Sequence, residues 1–446
     1  MNTSTLPPGP PWPRAVQTIR WLIRPTAMME ELHRRYGDMF TLQIANEGTW
    51  VFLADPEAVK QVFTGDPRLL HAGEANRILL PLLGHNSVLL LDDAAHMRQR
   101  KLMLPPFHGE RMRGFQRIMG EAAREEIERW PLGEVHPVRP ATQRITLDII
   151  TRTVFGVTDE ARRERLMATL GHVLEWGGDQ KRMAMLAVLG PKRVAGTEMF
   201  RRVREPADAL IYQEIRDRRG APDLEEREDV LSMLLLARHE DGSSMSDEEL
   251  RDELMTLLVA GHETTASSLA WAIERLVRHP QALARLREEA EAGGSEYADA
   301  VCKETLRLRP ILSLVVRKLK EPMEIGGRLL PAGVTVAPCI YLVHRRADVY
   351  PDPLAFRPER FLEEPAGTYT WFPFGGGVRR CLGASFALFE MRIVLQELVT
   401  RLDLRAADPR PERFVRRAIT NAPQRGGEVI AQRRAAPLPA AVPAAA

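Results

Sequence analysis

The chain has 446 residues, 44% of them apolar and 27% charged, with a formal net charge of +2. That length suffices for one large domain or for two to three ordinary ones, and so small a charge excludes nucleic-acid binding through bulk electrostatics. The three cysteines, Cys302, Cys339 and Cys381, are too few and too odd for a disulfide framework and fit a reducing cytosol.

The N-terminal stretch has no apolar run near the ~18 residues that span a bilayer and no signal-peptide core, so a soluble, cytoplasmic protein is expected. The prolines from Pro7 to Pro13 predict an extended segment lying on the fold. Alternating apolar and polar residues on either side of Asn46, Glu47 and Gly48 predict a hairpin, followed by a short helix from Pro56 to Phe63. From about Asp92 to Val277 helical periodicity dominates, interrupted at Pro105, Pro106, Pro131, Pro137, Pro140 and the Gly177-Gly178 pair. Strand signals return between Leu312 and His344, with turns at Gly326-Gly327 and Ala332-Gly333, and helices resume at Ala384. With no internal repeat and no linker in the body, residues 1–434 are expected to form a single domain, mainly α with small peripheral β-sheets. Residues 435–446 read as a disordered Ala/Pro-rich tail.

Ser246 and Glu249 form a capping-box pattern and His279-Pro280 gives a stop. The roughly 32 residues between them would extend ~48 Å, a central and largely buried axis. Its middle carries Gly261, which costs ~1 kcal/mol relative to Ala, and the polar run Glu263, Thr264, Thr265, Ser267 and Ser268. Such side chains can bond back to carbonyls one turn earlier and merely bend the helix. Alternatively, Gly261 admits a ligand close to the backbone while Glu263 and Thr264 form a proton-delivery pair. The helix alone leaves both open.

Cys302 and Cys339 read as small buried hydrophobes. Cys381 differs: it follows Gly375, Gly376 and Gly377, sits beside Arg379 and Arg380, and precedes a strongly amphipathic helix. Free amides, a helix N-terminus and guanidinium groups favour thiolate over thiol. No local signature supplies the His and carboxylate of a cysteine nucleophile, no ligand spacing suits zinc, and no Gly-Lys-Ser/Thr makes a phosphate loop. A single axial thiolate on haem iron satisfies the pattern, because the porphyrin nitrogens supply the other ligands.

Phe374-x-x-Gly377-x-Arg379-x-Cys381-x-Gly383 resembles the haem-ligand signature of the cytochrome P-450 monooxygenases, with every fixed position filled. Glu304-x-x-Arg307 and the later Pro358-Glu359-Arg360-Phe361 resemble that family's Glu-Arg-Arg support cluster, and Ala260 to Thr265 resembles its oxygen-binding groove in the central helix. The resemblance runs from about Pro7 to Arg434. It implies the P-450 fold with a long helix over haem b, Cys381 as the iron ligand, and Ala260, Phe374, Gly375 and Gly383 close to the haem. His96, Arg100, Arg317 and Arg379 are similar to the family's propionate partners, although the family often has Trp where this chain has His96. Thr264 would hydrogen-bond dioxygen and Glu263 would relay protons.

The same resemblance implies oxygen insertion from O2 into C–H bonds of an apolar small molecule. The segments that would line the pocket are aliphatic, at Leu79, Leu80, Val88, Val259, Ala260, Leu312 and Leu314, which suits a terpenoid such as a sesquiterpene, a fatty acid or a steroid. Residues 172–190 would form its mobile roof. Nothing resembles a flavin or ferredoxin module, so electrons are expected from a separate ferredoxin or flavodoxin with its reductase. Arg98, Lys101, Arg111, Arg113, Arg117 and Arg380 are candidates for the face that receives it. No membrane span is expected, and the protein is expected to be a monomer. A peroxide-dependent haem-thiolate peroxygenase and a non-catalytic haem sensor are the rival readings, the first disfavoured by the retained Glu263 and Thr264.

Overall fold

The computed structural model describes residues 6–434 apart from 108–110, 180–181, 183–184 and 187–188; the side chains of residues 111 and 192 are also outside it. The expected tail at 435–446, and part of the expected roof at 172–190, lie outside the described residues.

The central helix spans Asp247–Leu276 and begins with the expected reciprocal cap: the Glu249 amide donates to Ser246 Oγ at 3.1 Å, and the Ser246 amide to Glu249 Oε2 at 2.7 Å. Burial continues on nearly all its sides because other helices surround it, chiefly Val138–Thr153, Glu198–Arg219, Glu296–Leu308 and Ala384–Arg401. Trp271 is the largest of the fully buried side chains among the described residues. Pro140 does not interrupt a helix; it lies in the first turn of Val138–Thr153. There the missing N–H costs little, since those amides have no intrahelical acceptor anyway.

The predicted hairpin pairs Met39–Ile44 with Gly48–Leu53, turning at Asn46 with φ 65°. Gly9 presses against the Thr41 carbonyl, and the Thr41 amide and hydroxyl donate to Pro8 and Pro7, so the proline segment lies extended along this hairpin. Gly48–Leu53 pairs in parallel with Thr335–Pro338, which pairs with Arg317–Leu319, and that strand pairs in turn with Leu70–His71. This five-stranded sheet carries Arg317 into the interior. A second, three-stranded sheet joins Val135–Pro137, Glu428–Arg433 and Leu402–Ala406. Two hairpins complete the β structure: Met323–Ile325 with Arg328–Leu330 and Phe414–Arg417 with Thr420–Pro423.

Candidate active site

The cysteine loop is shaped from behind. Gly375 and Gly377 have φ of 67° and 66°, the left-handed region open to glycine. A Cβ on Gly376 would meet the Phe63 ring at 2.2 Å, and one on Gly377 would meet the Phe63 carbonyl oxygen at 2.2 Å. The run of glycines therefore answers to Phe63 in the helix Pro56–Thr64. The Cys381 amide donates to the Phe374 carbonyl at 3.0 Å, closing the loop before the helix Ala384–Arg401.

Cys302 and Cys339 are buried, as expected, whereas Cys381 is exposed. Its sulfur is open at its surface but ringed by protein, so burial pushes the thiol up, while the Gly383 N–H, Arg100 and Arg380 pull it down. The protein groups alone thus do not favour thiolate, contrary to the expectation from the sequence. A coordinated cation would, since metal binding deprotonates a thiol outright. Among the described residues no group of three or more His, Cys, Asp or Glu side chains could hold a metal ion.

The donor set around this loop fits a dianionic haem. His96 is buried and pushed down to about 3, first by burial and then by Arg379, Arg100 and Arg317, so the four predicted propionate partners do form one cluster. Arg379 is already matched by Asp92 at 2.5 Å. Among the described residues, Arg317 and Arg100 have only carbonyl partners: Val316 at 2.8 Å and Gly376 at 3.4 Å for the first, Arg380 at 2.8 Å for the second. The buried Arg317 guanidinium, with no carboxylate bonded to it among the described residues, calls for an anion, and the half-buried Arg100 can share it. Asp92 was not foreseen; it also accepts the amides of Gly73 and Glu74, both at 2.8 Å, tying this segment to the cysteine loop.

Beyond its first turn, the central helix opens only in its middle. Residues 251–256 and 265–276 are buried, but Leu257, Val259, Ala260, Gly261, Glu263 and Thr264 are not. Thr264 donates its hydroxyl to the Ala260 carbonyl at 2.5 Å, and Ser268 donates to the Thr264 carbonyl at 2.8 Å, so the back-bonding expected of such residues is present. Glu263 is held by Arg139 at 2.6 and 2.8 Å, by Gln143 at 3.0 Å and by Ser267 at 3.1 Å. Neither Arg139 nor Gln143 carried a signal in the sequence, 124 and 120 residues away. Of the predicted pocket residues, Leu79, Leu80, Val259, Ala260, Leu312 and Leu314 are at least partly open. Val88 is instead buried in the core; its amide donates to Glu253 and its carbonyl accepts from Arg379.

Glu304 and Arg307 are fully buried and bonded at 2.7 and 2.9 Å; Arg360 reaches Glu304 at 3.2 Å. Arg307 also donates to the His344 carbonyl at 2.7 Å, and His344 Nε2 accepts the Phe372 amide at 3.0 Å. Burial, aided by Arg307 and Arg345, pushes this imidazole down to about 3, which keeps it a neutral acceptor. His344, absent from the sequence expectations, thus links the ion cluster to the start of the cysteine loop.

The expected partner face is largely occupied: Arg98 pairs with Asp241 at 2.9 Å, Lys101 with Glu240 at 2.6 Å and Arg117 with Glu121 at 2.7 Å. The Arg111 side chain lies outside the described residues and Arg113 has an interaction of its own. Arg380 is exposed and has no ion pair among the described residues. Among those residues, no helix is long and apolar enough to cross a membrane.

Residues 7–426 match the family model for cytochrome P450. The chain is 45% identical over 433 residues to cytochrome P450 135B1 of Mycobacterium tuberculosis, covering 95% of this chain and 91% of that protein. It is 39% identical over 437 residues to cytochrome P450 135A1 of the same species, with 97% of each covered. Among solved structures, retinoic acid-bound cyanobacterial CYP120A1 superposes with a TM-score of 0.83 at 24% identity, over 96% of this chain and 99% of that one. The heme domain of a cytochrome P450DA mutant superposes at 0.82 and 22%, over 96% and 98%. The chain therefore belongs to the cytochrome P450 family, monooxygenases that carry haem on a cysteine thiolate.

Proposed function

We propose that this P450 acts in the cytoplasm as a monomer, as one domain over residues 1–434. It inserts one atom of O2 into a C–H bond of an apolar small molecule, a terpenoid, fatty acid or steroid. A separate ferredoxin or flavodoxin with its reductase supplies the electrons. The observation that carries this reading is the opening of an otherwise buried central helix at Leu257 to Thr264, beside aliphatic residues and with a carboxylate and a hydroxyl adjacent.

Haem b, when bound, supplies the reductive activation of O2. Cys381 would hold its iron, and the loop that presents this thiolate is kept in place by Phe63, Phe374 and Gly383. Arg100 and Arg317 would take the propionates, joined by His96 and by Arg379, whose charge is shared with Asp92. Phe374, Gly375 and Ala260 would help to exclude water from the bound group. Thr264 offers its hydroxyl at the opened stretch of helix, and Glu263 beside it moves protons inward after exchanging Arg139 for water. Glu304, Arg307 and Arg360 act only through the loop they brace. Arg380 remains available to the electron donor.

Turnover with a surrogate ferredoxin and reductase tests this. Thr264→Ala is expected to divert electrons into peroxide, read as product formed against NADPH consumed; unchanged coupling removes the proton-delivery role. Turnover on peroxide alone, with none from the reductase system, replaces the monooxygenase reading with a peroxygenase. A spin-state titration against terpenes, fatty acids and steroids selects the substrate class.

A further inference from the structure

One face of the helix Val138–Thr153 is matched to the opened stretch of the central helix. Arg139, Thr142, Gln143, Thr146 and Ile150 recur at the three- and four-residue spacing that puts side chains on one face. Arg139 and Gln143 take the Glu263 carboxylate. On either side of that carboxylate, hydroxyls of the same face bond to the central helix itself. Thr142 donates to the Ala266 carbonyl at 2.9 Å; Thr146 Oγ is hydrogen-bonded to His262 Nδ1 at 2.8 Å and lies 3.3 Å from the His262 carbonyl oxygen. A Cβ on Gly261 would come within 3.2 Å of Ile150 Cδ1, so the bare glycine makes room for this helix.

These flanking bonds are dry, and the carboxylate between them is not. Thr142, Thr146 and His262 are buried, whereas Glu263 keeps 20% of its side chain exposed. Burial pushes His262 down to about 4, against Glu263 and with Arg139, so its imidazole is neutral and shares a single hydrogen bond with the Thr146 hydroxyl. Water can compete for Glu263, while the bond behind it has no solvent to exchange with. Sliding one helix past the other by a single residue is a displacement of about 1.5 Å. The bonds of 2.6 to 3.0 Å from Arg139 and Gln143 to Glu263 do not survive such a step.

We propose that Thr146 and His262 are positioning residues for proton delivery: the buried bond between them fixes the register of the helix Val138–Thr153 on the central helix, and with it the reach of Arg139 and Gln143 to Glu263. This rests on the proton-relay reading of Glu263 above and adds the pair that stands behind it.

The test compares Thr146→Val and His262→Leu, which each break the bond, with Thr146→Ser and Thr151→Val in the haem-loaded protein. Thr151 is equally buried on the same helix, but among the described residues its hydroxyl donates only to the Leu147 carbonyl of that helix. NADPH consumed and peroxide released are measured with a surrogate ferredoxin and reductase and no added substrate, after subtraction of the rate without this protein. Electrons not recovered in peroxide have reduced O2 to water, which takes up twice the protons of reduction to peroxide. That peroxide-free flux is expected to fall about 10- to 100-fold in Thr146→Val and His262→Leu, the scale of a small misplacement near the chemistry. It should recover in Thr146→Ser and hold in Thr151→Val. In a Glu263→Gln background, Thr146→Val should lower it no further. Hydrogen exchange across residues 138–153, which needs no turnover, should be faster in Thr146→Val than in Thr151→Val. An unchanged flux or exchange in Thr146→Val, an equal loss in Thr151→Val, or a further loss in the Glu263→Gln background overturns the proposal. Glu263→Gln without effect on the flux defeats the proton-relay reading and this one with it, whereas a loss there without one in Thr146→Val defeats the Thr146 assignment alone.

Discussion

Glu304 and Glu263 both meet arginine, but in opposite surroundings. Glu304 is fully buried, and its partners are Arg307, Arg360 and the Arg357 amide at 2.9 Å. Arg307 gives its remaining donors to the carbonyls of His344, Pro353 and Ala355, so the cluster is closed on itself. Glu263 keeps 20% of its side chain exposed, and its partners Arg139, Gln143 and Ser267 leave it a route to solvent. The same ion pair is thus a fastener where water is absent and a poised group where water can replace a partner. Burial decides which, because exchanging partners costs little only where the freed charge can be solvated.

The largest effect should come from breaking the closed cluster. Glu304→Ala leaves Arg307 and Arg360 buried without their carboxylate, a loss of about 3–5 kcal/mol. We expect little haem-loaded protein, measured by denaturant unfolding and by the thiolate-type carbon monoxide band. A variant that keeps wild-type stability would erase the contrast. Glu263→Gln should do the reverse. Its fold should stay within about 1 kcal/mol of wild type, as for an ion pair in reach of solvent. Its rate of product formation should fall about 100-fold or more, the usual scale of a lost general acid. A variant that is unfolded but retains specific activity in its folded fraction would exchange the two roles.

A third carboxyl sharpens the comparison. Glu253, on the same central helix, is fully buried with no ion pair among the described residues; it accepts the Val88 amide at 2.8 Å, and burial pushes it up to about 8. Between the ordinary carboxyl value of about 4.3 and that raised value, the folded state holds a proton that the unfolded chain has lost. Stability is therefore expected to decline as pH rises through this window and to level off above it. Glu253→Gln keeps an oxygen for the Val88 amide and removes the titration. Its Tm should exceed wild type by roughly a few degrees near pH 8 and match it near pH 4. A constant difference across that range would show that Glu253 is not held protonated.

The cysteine loop, the capped central helix, the first hairpin and the Glu304–Arg307 pair were legible because each depends on residues close together in the chain: glycines before a thiol, a box four residues long, a helical pair three apart. The Leu79 and Leu312 regions were legible as aliphatic, but Val88 shows that composition does not say which side of a segment faces the core. Arg139, Gln143, Asp92, His344 and Phe63 were not legible, since each acts on a partner distant in sequence and has no local pattern of its own. The basic face failed for the same reason: Arg98 and Lys101 look free until the loop carrying Glu240 and Asp241 folds over them.

By itself, the sequence determined the family and the order of the elements and singled out the cysteine proposed to hold the iron, because covalent spacing and helical periodicity act over a few residues. The tertiary structure alone decided which charges are compensated. It closed Glu304 into a dry cluster, tied Glu263 to Arg139, matched Arg379 with Asp92 and left Arg100 and Arg317 without a bonded carboxylate among the described residues. The physical reason is that the energy of a charge depends on burial and on partners within a few ångströms, and both are set only when distant segments pack.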